Sequence, residues 1–273
     1  MSGAWMTSTG HAVSDAPWLD MHFESARAEY EEALRFVGIA PGWTVLDAGC
    51  GSGGYIPLIG ELAGATGRVA ALDLAPENIA HVECLIQEGR CAAPVDLRVG
   101  SLLDLPFADA KFDCVWCANV AQYLTQAEFA RAIGEFRRVT KPGGLVAVKD
   151  FDATLLQILP LDPAIWARLA AARQAKAAAT GLLGGCCGPS LAPSFRRAGL
   201  TDLVRKSWLV ERWAPALPRP ASSSPWDCAF TRGSQPSTMF PHWTAKCCAP
   251  PRQTRTACSM ILTSACASPS LLR

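Results

Sequence analysis

The feature that most constrains the fold of this 273-residue chain is a glycine-rich stretch that follows a short apolar run. Residues 45–54 read VLDAGCGSGG, with an acid at position 47 and four glycines within the last six residues. Glycines crowded directly after an apolar run indicate a backbone that turns tightly and approaches a ligand closely. The stretch therefore predicts a strand, a ligand-binding turn and a following helix, which is the building unit of α/β folds.

Two classes of ligand fit this loop. Residues 49–54 match the dinucleotide pattern GxGxxG, which is typical of NAD or FAD sites. Asp47 with the alternate glycines of residues 49–53 matches a pattern typical of S-adenosylmethionine sites. Asp73 ends the second predicted strand, where an acid can accept the ribose hydroxyls of either ligand. Asp47 favours S-adenosylmethionine, because a carboxylate attracts the ammonium of an amino acid and repels a pyrophosphate.

Strand and helix signals alternate along the chain beyond this loop. Apolar runs predict strands at residues 44–47, 68–74, 95–99, 112–118, 144–149 and 203–210. Between them lie segments with helical spacing, and Thr125 with Glu128 predicts a capping box at the start of one helix. Near-continuous apolar strands separated by helices predict a doubly wound, Rossmann-like α/β sheet, mostly parallel, with its ligand at the carboxyl ends of the strands.

Composition restricts the partners. A net charge of +1 provides no electrostatic basis for binding nucleic acid or an acidic membrane surface. The N-terminal residues lack the features of a signal peptide, and no apolar stretch is long enough to span a bilayer. We therefore predict a soluble, cytoplasmic protein with a small-molecule substrate, no nucleic-acid or membrane partner and no metal. The twelve cysteines are interpreted mainly as buried thiols, and the oligomeric state is not predicted.

Three further segments decide between the ligands. They read GSLLDLPFADAKFD at residues 100–113, CANVAQYL at 117–124 and KPGG at 141–144. In this order, after the glycine loop and Asp73, they resemble the class I S-adenosylmethionine-dependent methyltransferases. The pattern LPFxDxxFD followed by RRVxKPGG is similar to the small-molecule branch that contains the ubiquinone-biosynthesis C-methyltransferases. The resemblance covers residues 38–150 and extends more weakly to residue 212.

The resemblance implies an enzyme, a transferase that moves a methyl group from S-adenosylmethionine to carbon, oxygen or nitrogen of a small molecule. The transfer would be an in-line displacement at the sulfonium, which needs alignment more than an activated side chain. Two alternatives remain open at this point. One is a non-catalytic protein of the same fold that binds the cofactor for regulation, and the other is an NAD-binding oxidoreductase.

The resemblance also implies roles for individual residues. The cofactor-binding set comprises Asp47, Gly49, Cys50 and Gly51 at the methionine end, Gly53 where the following helix approaches, Asp73 and Leu74 at the ribose and adenine, Ser101 and Leu102 at the adenine edge, and Ala118, Asn119 and Gln122 along the path to the sulfonium. Ser101 stands where the family often has an acid, so its contact with adenine should be weaker. The catalytic candidates are Tyr123, Asp150 and His22.

The chain divides into three predicted regions. Residues 1–23 are a flexible leader, residues 24–212 are the methyltransferase domain with a substrate lid inserted at about 151–195, and residues 213–273 are an irregular tail. After Trp213 valine and tyrosine disappear, while serine, proline and cysteine dominate. We interpret this break as translation in a wrong reading frame, and we expect the last strand of the sheet to be missing or malformed.

Overall fold

The computed structural model describes residues 16–158, 162–184, 188–212 and 256–266. Its helices are α1 (Ala16–Ser25), α2 (Arg27–Phe36), α3 (Ile56–Ala63), α4 (Pro76–Gln87), α5 (Gln126–Val139), α6 (Pro163–Thr180) and α7 (Gly188–Arg197). Its strands are β1 (Thr44–Ala48), β2 (Arg68–Asp73), β3 (Val95–Val99), β4 (Phe112–Ala118), β5 (Thr140–Ile158), β6 (Thr201–Arg212) and β7 (Thr256–Cys266). A 3₁₀ turn spans Ala121–Tyr123.

The strands form one sheet in the order β3-β2-β1-β4-β5-β7-β6. The first five pair in parallel, and β1 lies between β2 and β4. The strand order therefore reverses at β1, which places a crevice at its carboxyl end. This arrangement confirms the predicted doubly wound, mostly parallel α/β sheet.

Each face of the sheet is covered by helices. Tyr30 and Leu34 of α2 pack with Trp116 of β4 on one face. Phe136 of α5 and Phe195 of α7 pack on the other. Burial on both faces explains why these strands read as continuous apolar runs. The predicted capping box also forms, because the hydroxyl of Thr125 accepts the amide of Glu128 and the Glu128 carboxylate accepts the amide of Thr125.

The expectation of a missing last strand is wrong. β7 lies antiparallel between β5 and β6, with Val148 opposite Thr263 and Lys206 opposite Leu262. The prolines that argued against a strand lie outside residues 256–266. The rest of the tail, residues 213–255 and 267–273, lies outside the described residues, and the reading-frame interpretation stays a prediction.

The structure also differs from the predicted leader and lid boundaries. Residues 16–23 belong to α1, and Phe23 is buried with its ring centroid 4.9 Å from that of Tyr55. Aromatic packing therefore holds part of the predicted leader against the domain. At the other boundary, Leu191 and Phe195 of α7 are fully buried in the core, whereas α6 has no buried residue. The lid remains a prediction for α6, but α7 belongs to the core.

Candidate functional site

Asp47 lies in β1 beside the crevice. Its side chain is buried, and among the described residues its Oδ2 accepts no hydrogen bond. Burial, together with the negative charge of Asp73, raises the pKa of Asp47 to about 8. A buried carboxylate oxygen without a donor is costly to keep in a fold. A buried acid with a raised pKa beside a crevice is a candidate ligand-binding residue.

The glycine loop after β1 has a backbone that side chains would disturb. Gly49, Gly51 and Gly53 have φ angles of 82°, 54° and 84°, in the left-handed region. The amides of Gly49 and Cys50 donate to the carbonyl of Leu72 at 2.7 and 3.0 Å, which ties the loop to β2. A Cβ at Gly49 would lie 2.6 Å from Cγ2 of Val120. Glycine is therefore required at position 49 by both conformation and space.

Helix α1 covers the same loop from the other side. A Cβ at Gly51 would lie 3.0 Å from Cδ1 of Leu19, and one at Gly54 would lie 2.8 Å from the Phe23 ring. The glycines thus allow α1 to approach, in addition to any approach of a ligand. The sequence analysis predicted a packing role only for Gly53, against the following helix, and did not predict these contacts with α1.

Asp73 at the end of β2 connects the loop to α4. Its Oδ2 accepts the amide of Gly51 at 2.9 Å, and its Oδ1 accepts the amide of Ala75 at 2.9 Å and Nδ2 of Asn78 at 3.2 Å. An ionised carboxylate offers about four acceptor positions. Asp73 is therefore a structural anchor of the loop that retains acceptor capacity for a ligand hydroxyl.

Apolar side chains stand beside Asp73 at the same edge of the sheet. Leu74 is 36% exposed and Val99, which pairs with Asp73 in register, is 50% exposed. Ser101 follows at partial exposure, and its hydroxyl accepts the amide of Leu103 at 3.1 Å. Leu102 instead packs into the core. Val99 was missed by sequence reasoning, although its place at the end of an apolar strand could have indicated it.

The ends of β4 and β5 bring a second group of predicted residues together. Asn119 has a φ of 60°, directly after the buried Ala118, and its amide donates to the carbonyl of Lys149 at 2.8 Å. Gln122 donates its side-chain amide to the carbonyl of Asn119 at 3.2 Å and its backbone amide to Oδ2 of Asp150 at 3.1 Å. Tyr123, one residue further, is partly buried at the end of the 3₁₀ turn.

Lys149 is a residue of this site that sequence reasoning missed. It is fully buried, its Nζ donates to Oδ1 of Asn119 at 2.5 Å, and Nζ lies 3.4 Å from the ring centroid of Tyr30. The signal was available, since a lysine ends the apolar run GLVAVK. His22 lies nearby, with Nε2 3.4 Å from the Tyr30 hydroxyl. Burial and the charge of Lys149 lower the pKa of His22 to about 4.

Tyr55, at the end of the glycine loop, is a third residue that the sequence analysis did not predict. Its ring lies 5.1 Å from Trp116 and 6.2 Å from Tyr30, measured between centroids. Its hydroxyl is buried and forms no hydrogen bond with the described residues. Burial raises the pKa of Tyr55 well above its ordinary value, so this hydroxyl keeps its proton at neutral pH.

The segment that forms this site matches a known family. Residues 46–148 match the family described as "Methyltransferase domain", a range that includes Asp47, Asp73 and Asn119. This segment of the chain is therefore similar to methyltransferase domains. The matched range begins within β1 and ends within β5, and therefore covers the five parallel strands that form the crevice.

The chain is similar to several named proteins. It is 35% identical over 126 residues to the chloroplastic 2-phytyl-1,4-beta-naphthoquinone methyltransferase of Arabidopsis thaliana, covering 44% of this chain and 46% of that protein. It is 30% identical over 128 residues to the demethylmenaquinone methyltransferase of Bacillus velezensis, covering 45% and 52%. It is 34% identical over 137 residues to the malonyl-[acyl-carrier protein] O-methyltransferase of Erwinia billingiae, covering 48% and 50%. The chain spans about half the length of these relatives.

Solved structures share the fold of the methyltransferase domain. A SAM-dependent methyltransferase from Aquifex aeolicus matches with a TM-score of 0.52 and 21% identity, covering 69% of this chain and 90% of that one. A chain from the complex between the Haloferax volcanii Trm112 methyltransferase activator and a methyltransferase matches with a TM-score of 0.56 and 18% identity, covering 94% and 99%.

These similarities confirm the predicted fold class, and they agree with the predicted family and cofactor. They give no support to the NAD-binding or non-catalytic alternatives. The roles assigned to individual residues, the cytoplasmic location and the absence of nucleic-acid or membrane partners stay predictions. In the described part of the chain, no helix combines the length and apolarity needed to cross a membrane.

Proposed function

We propose that this chain transfers a methyl group from S-adenosylmethionine to a small-molecule acceptor. The observation that carries the proposal is the buried carboxylate oxygen of Asp47, which has no donor in the described structure and lies beside a loop closed to side chains. An ammonium group supplies the missing donor and the compensating charge. Asp73, with acceptor capacity left, and the apolar surfaces of Leu74 and Val99 suit a ribose and an adenine ring.

The protein's contribution to the chemistry is positioning. When bound, S-adenosylmethionine supplies an electrophilic methyl group on a sulfonium. Asp47 and the glycine loop hold the methionine end, while Asp73 orients the ribose. Asn119 and Gln122, linked to each other and to Asp150, define the passage towards the acceptor. Correct alignment can contribute roughly 7–11 kcal/mol to lowering a barrier, so a strong base is not required.

We propose an electron-rich ring carbon of a reduced naphthoquinone as the first acceptor class to test. The support is that two of the relatives reported above are named for naphthoquinone and menaquinone methylation. The ring carbon would bond to the methyl carbon as the carbon–sulfur bond breaks and its electron pair passes to sulfur, and the ring proton would then pass to solvent water. Tyr123, in the 3₁₀ turn after β4, and Asp150, within β5, are the candidates to face this acceptor. His22 lies on the Tyr30 side of the site.

The experiment measures methyl transfer by the purified full chain. Methyl-labelled S-adenosylmethionine is incubated with reduced naphthoquinones lacking the ring methyl group and, separately, with a malonyl thioester. We expect label in the naphthoquinol, no transfer by Asp47→Asn, and normal transfer by Asp96→Asn, a change at an exposed acid of β3. Cofactor binding without label in either acceptor would reject these acceptors, and failure to bind S-adenosylhomocysteine would reject the proposed function.

A further inference from the structure

Asp47 and Lys149 project from the same face of the sheet. Asp47 pairs in register with Trp116, and Trp116 pairs with Ala147. Registered partners in a parallel sheet share a face, and residues two apart on one strand share it as well. Strands β1 and β5, separated by β4, lie about 10 Å apart. An acid and a base therefore lie on the same face of the sheet, on strands separated only by β4.

Tyr55 packs against a neighbour of each of these two groups. It contacts Trp116, the register partner of Asp47, and it stacks on Tyr30, whose ring carries the Lys149 ammonium. The Tyr55 hydroxyl is a buried donor without an acceptor, and Asp47 Oδ2 is a buried acceptor without a donor, within the described chain. These two groups have opposite hydrogen-bonding character, and a ligand that joins them must offer a donor at one end and an acceptor at the other.

The ligand group that meets this description is an α-amino acid zwitterion. Its ammonium and carboxylate sit on one carbon, and the site offers the opposite charges in matching order. We propose that Lys149 and Tyr55 bind the carboxylate of the cofactor's methionine moiety while Asp47 binds its ammonium. This inference rests on the proposed function. Tyr30 and Asn119 hold the Lys149 ammonium in place, so that it is positioned before the carboxylate arrives.

The test compares two ligands that differ only in the carboxylate. S-adenosylhomocysteine contains it, and S-adenosyl-3-thiopropylamine retains the ammonium but lacks the carboxylate. By calorimetry, the full chain should bind the first roughly 10- to 100-fold more tightly, the value expected for charge-assisted hydrogen bonds. In Lys149→Met this preference should vanish, with affinity lost for S-adenosylhomocysteine alone. Lys149→Arg should restore part of it.

Two further variants separate loss of the carboxylate contact from a general loss of structure. Tyr55→Phe removes a hydroxyl that bonds to no described residue, so its fold should persist, and it should lose several-fold affinity for S-adenosylhomocysteine only. Lys111→Met makes the same chemical change at the opposite end of β4, where the ammonium also lies over an aromatic ring, and should change neither affinity.

Equal losses for both ligands in Lys149→Met and Tyr55→Phe would overturn the inference and leave Lys149 a structural cation. An unchanged preference in both variants would overturn it as well. If the unmodified chain binds neither ligand, the proposed function fails first, and the inference fails with it. If Lys149→Met does not fold, Tyr55→Phe alone decides the question.

Discussion

The carboxylate of Asp73 holds the backbone amide of Gly51 at 2.9 Å, across the turn that joins β1 to α3. The same side chain accepts the amide of Ala75 and the side-chain amide of Asn78 at the start of α4. The residue predicted to bind ribose is thus also the residue that fixes the shape of the cofactor loop. Its substitution should affect the loop and the ligand together.

Asp73→Ala should lower both stability and cofactor affinity. It leaves three donors without their acceptor, and bonds to a charged group contribute about 1.5–3 kcal/mol each, so we expect a loss of that size or more in the free energy of unfolding. Affinity for S-adenosylhomocysteine should fall at least roughly tenfold. Denaturant titration and calorimetry measure the two effects.

Asp96→Ala, which removes a surface acid paired with Arg98, is the control and should change stability by about 1 kcal/mol at most. An Asp73→Ala protein with native affinity would contradict the ribose role.

Gly49→Ala should be more destabilising than Gly89→Ala. Both glycines have positive φ angles, 82° and 73°. Replacement by alanine at either position should therefore cost a similar amount in backbone strain, about 1 kcal/mol. Only at Gly49 does the added methyl meet an obstacle, Cγ2 of Val120 at 2.6 Å, whereas Gly89 has open space. Thermal unfolding of both variants measures the difference. Adding Val120→Ala should recover part of the loss at Gly49 and none at Gly89, and equal losses in the two single variants would argue against the close contact.

The free energy of unfolding should fall as pH rises because of Asp47. Its pKa is raised from 3.8 to about 8 on folding, so between these values the folded chain binds more protons than the unfolded chain. The associated stability is present below pH 4 and is lost as pH rises towards 8. In Asp47→Asn this part of the pH dependence should disappear, and the ligand-free variant should be more stable than the unmodified chain above pH 8. Urea titrations at pH 6, 7 and 8 measure the slope.

The same acid should make cofactor binding release a proton. Below pH 8 an ammonium must convert a protonated Asp47 carboxyl into a carboxylate, so affinity should rise with pH up to that value. Calorimetry in two buffers of different ionisation enthalpy detects the released proton. Binding without proton release at pH 7 would show that the ammonium does not contact Asp47.

Phe23→Ala should weaken cofactor binding because it removes part of the cover over the glycine loop. Phe23 is buried against Tyr55 and lies where a side chain at Gly54 would be. Truncating a buried phenylalanine lowers the free energy of unfolding by about 3–5 kcal/mol. Here the loss would weaken the packing of α1 on the loop. Met21→Ala, on the same helix but 48% exposed, is the matched control and should retain stability and affinity. Hydrogen exchange across α1 would locate the effect.

Removal of residues 256–273 should destabilise the sheet, whereas removal of residues 267–273 should not. The longer truncation deletes β7 and leaves the facing edges of β5 and β6 unpaired. Unpaired edges promote aggregation, so light scattering should rise with temperature in the longer truncation only. If both truncated chains behave alike, β7 contributes nothing to stability, and the interpretation of the tail as foreign to the fold gains weight.

The sequence by itself determined the parts of the site that depend on local spacing. The acid, the alternate glycines and Asp73 are brought together by a β-α-β unit whose geometry follows from short-range rules, and so they could be placed without a structure. The same holds for the capping box of Thr125 and Glu128, whose two residues interact within one helical turn.

Only the tertiary structure decided where Lys149, Tyr55 and α1 lie and which residues they contact. Lys149 and Tyr30 lie more than a hundred positions apart in the sequence, and no periodic pattern shows that one places its ammonium on the ring of the other. The position of β7 is of the same kind, because its partners are chosen by edges that β5 and β6 leave open after folding. Such contacts depend on burial and pairing between segments that are distant in the sequence. The spacing of residues along the chain does not indicate which distant segments meet, so these contacts could not be predicted from it.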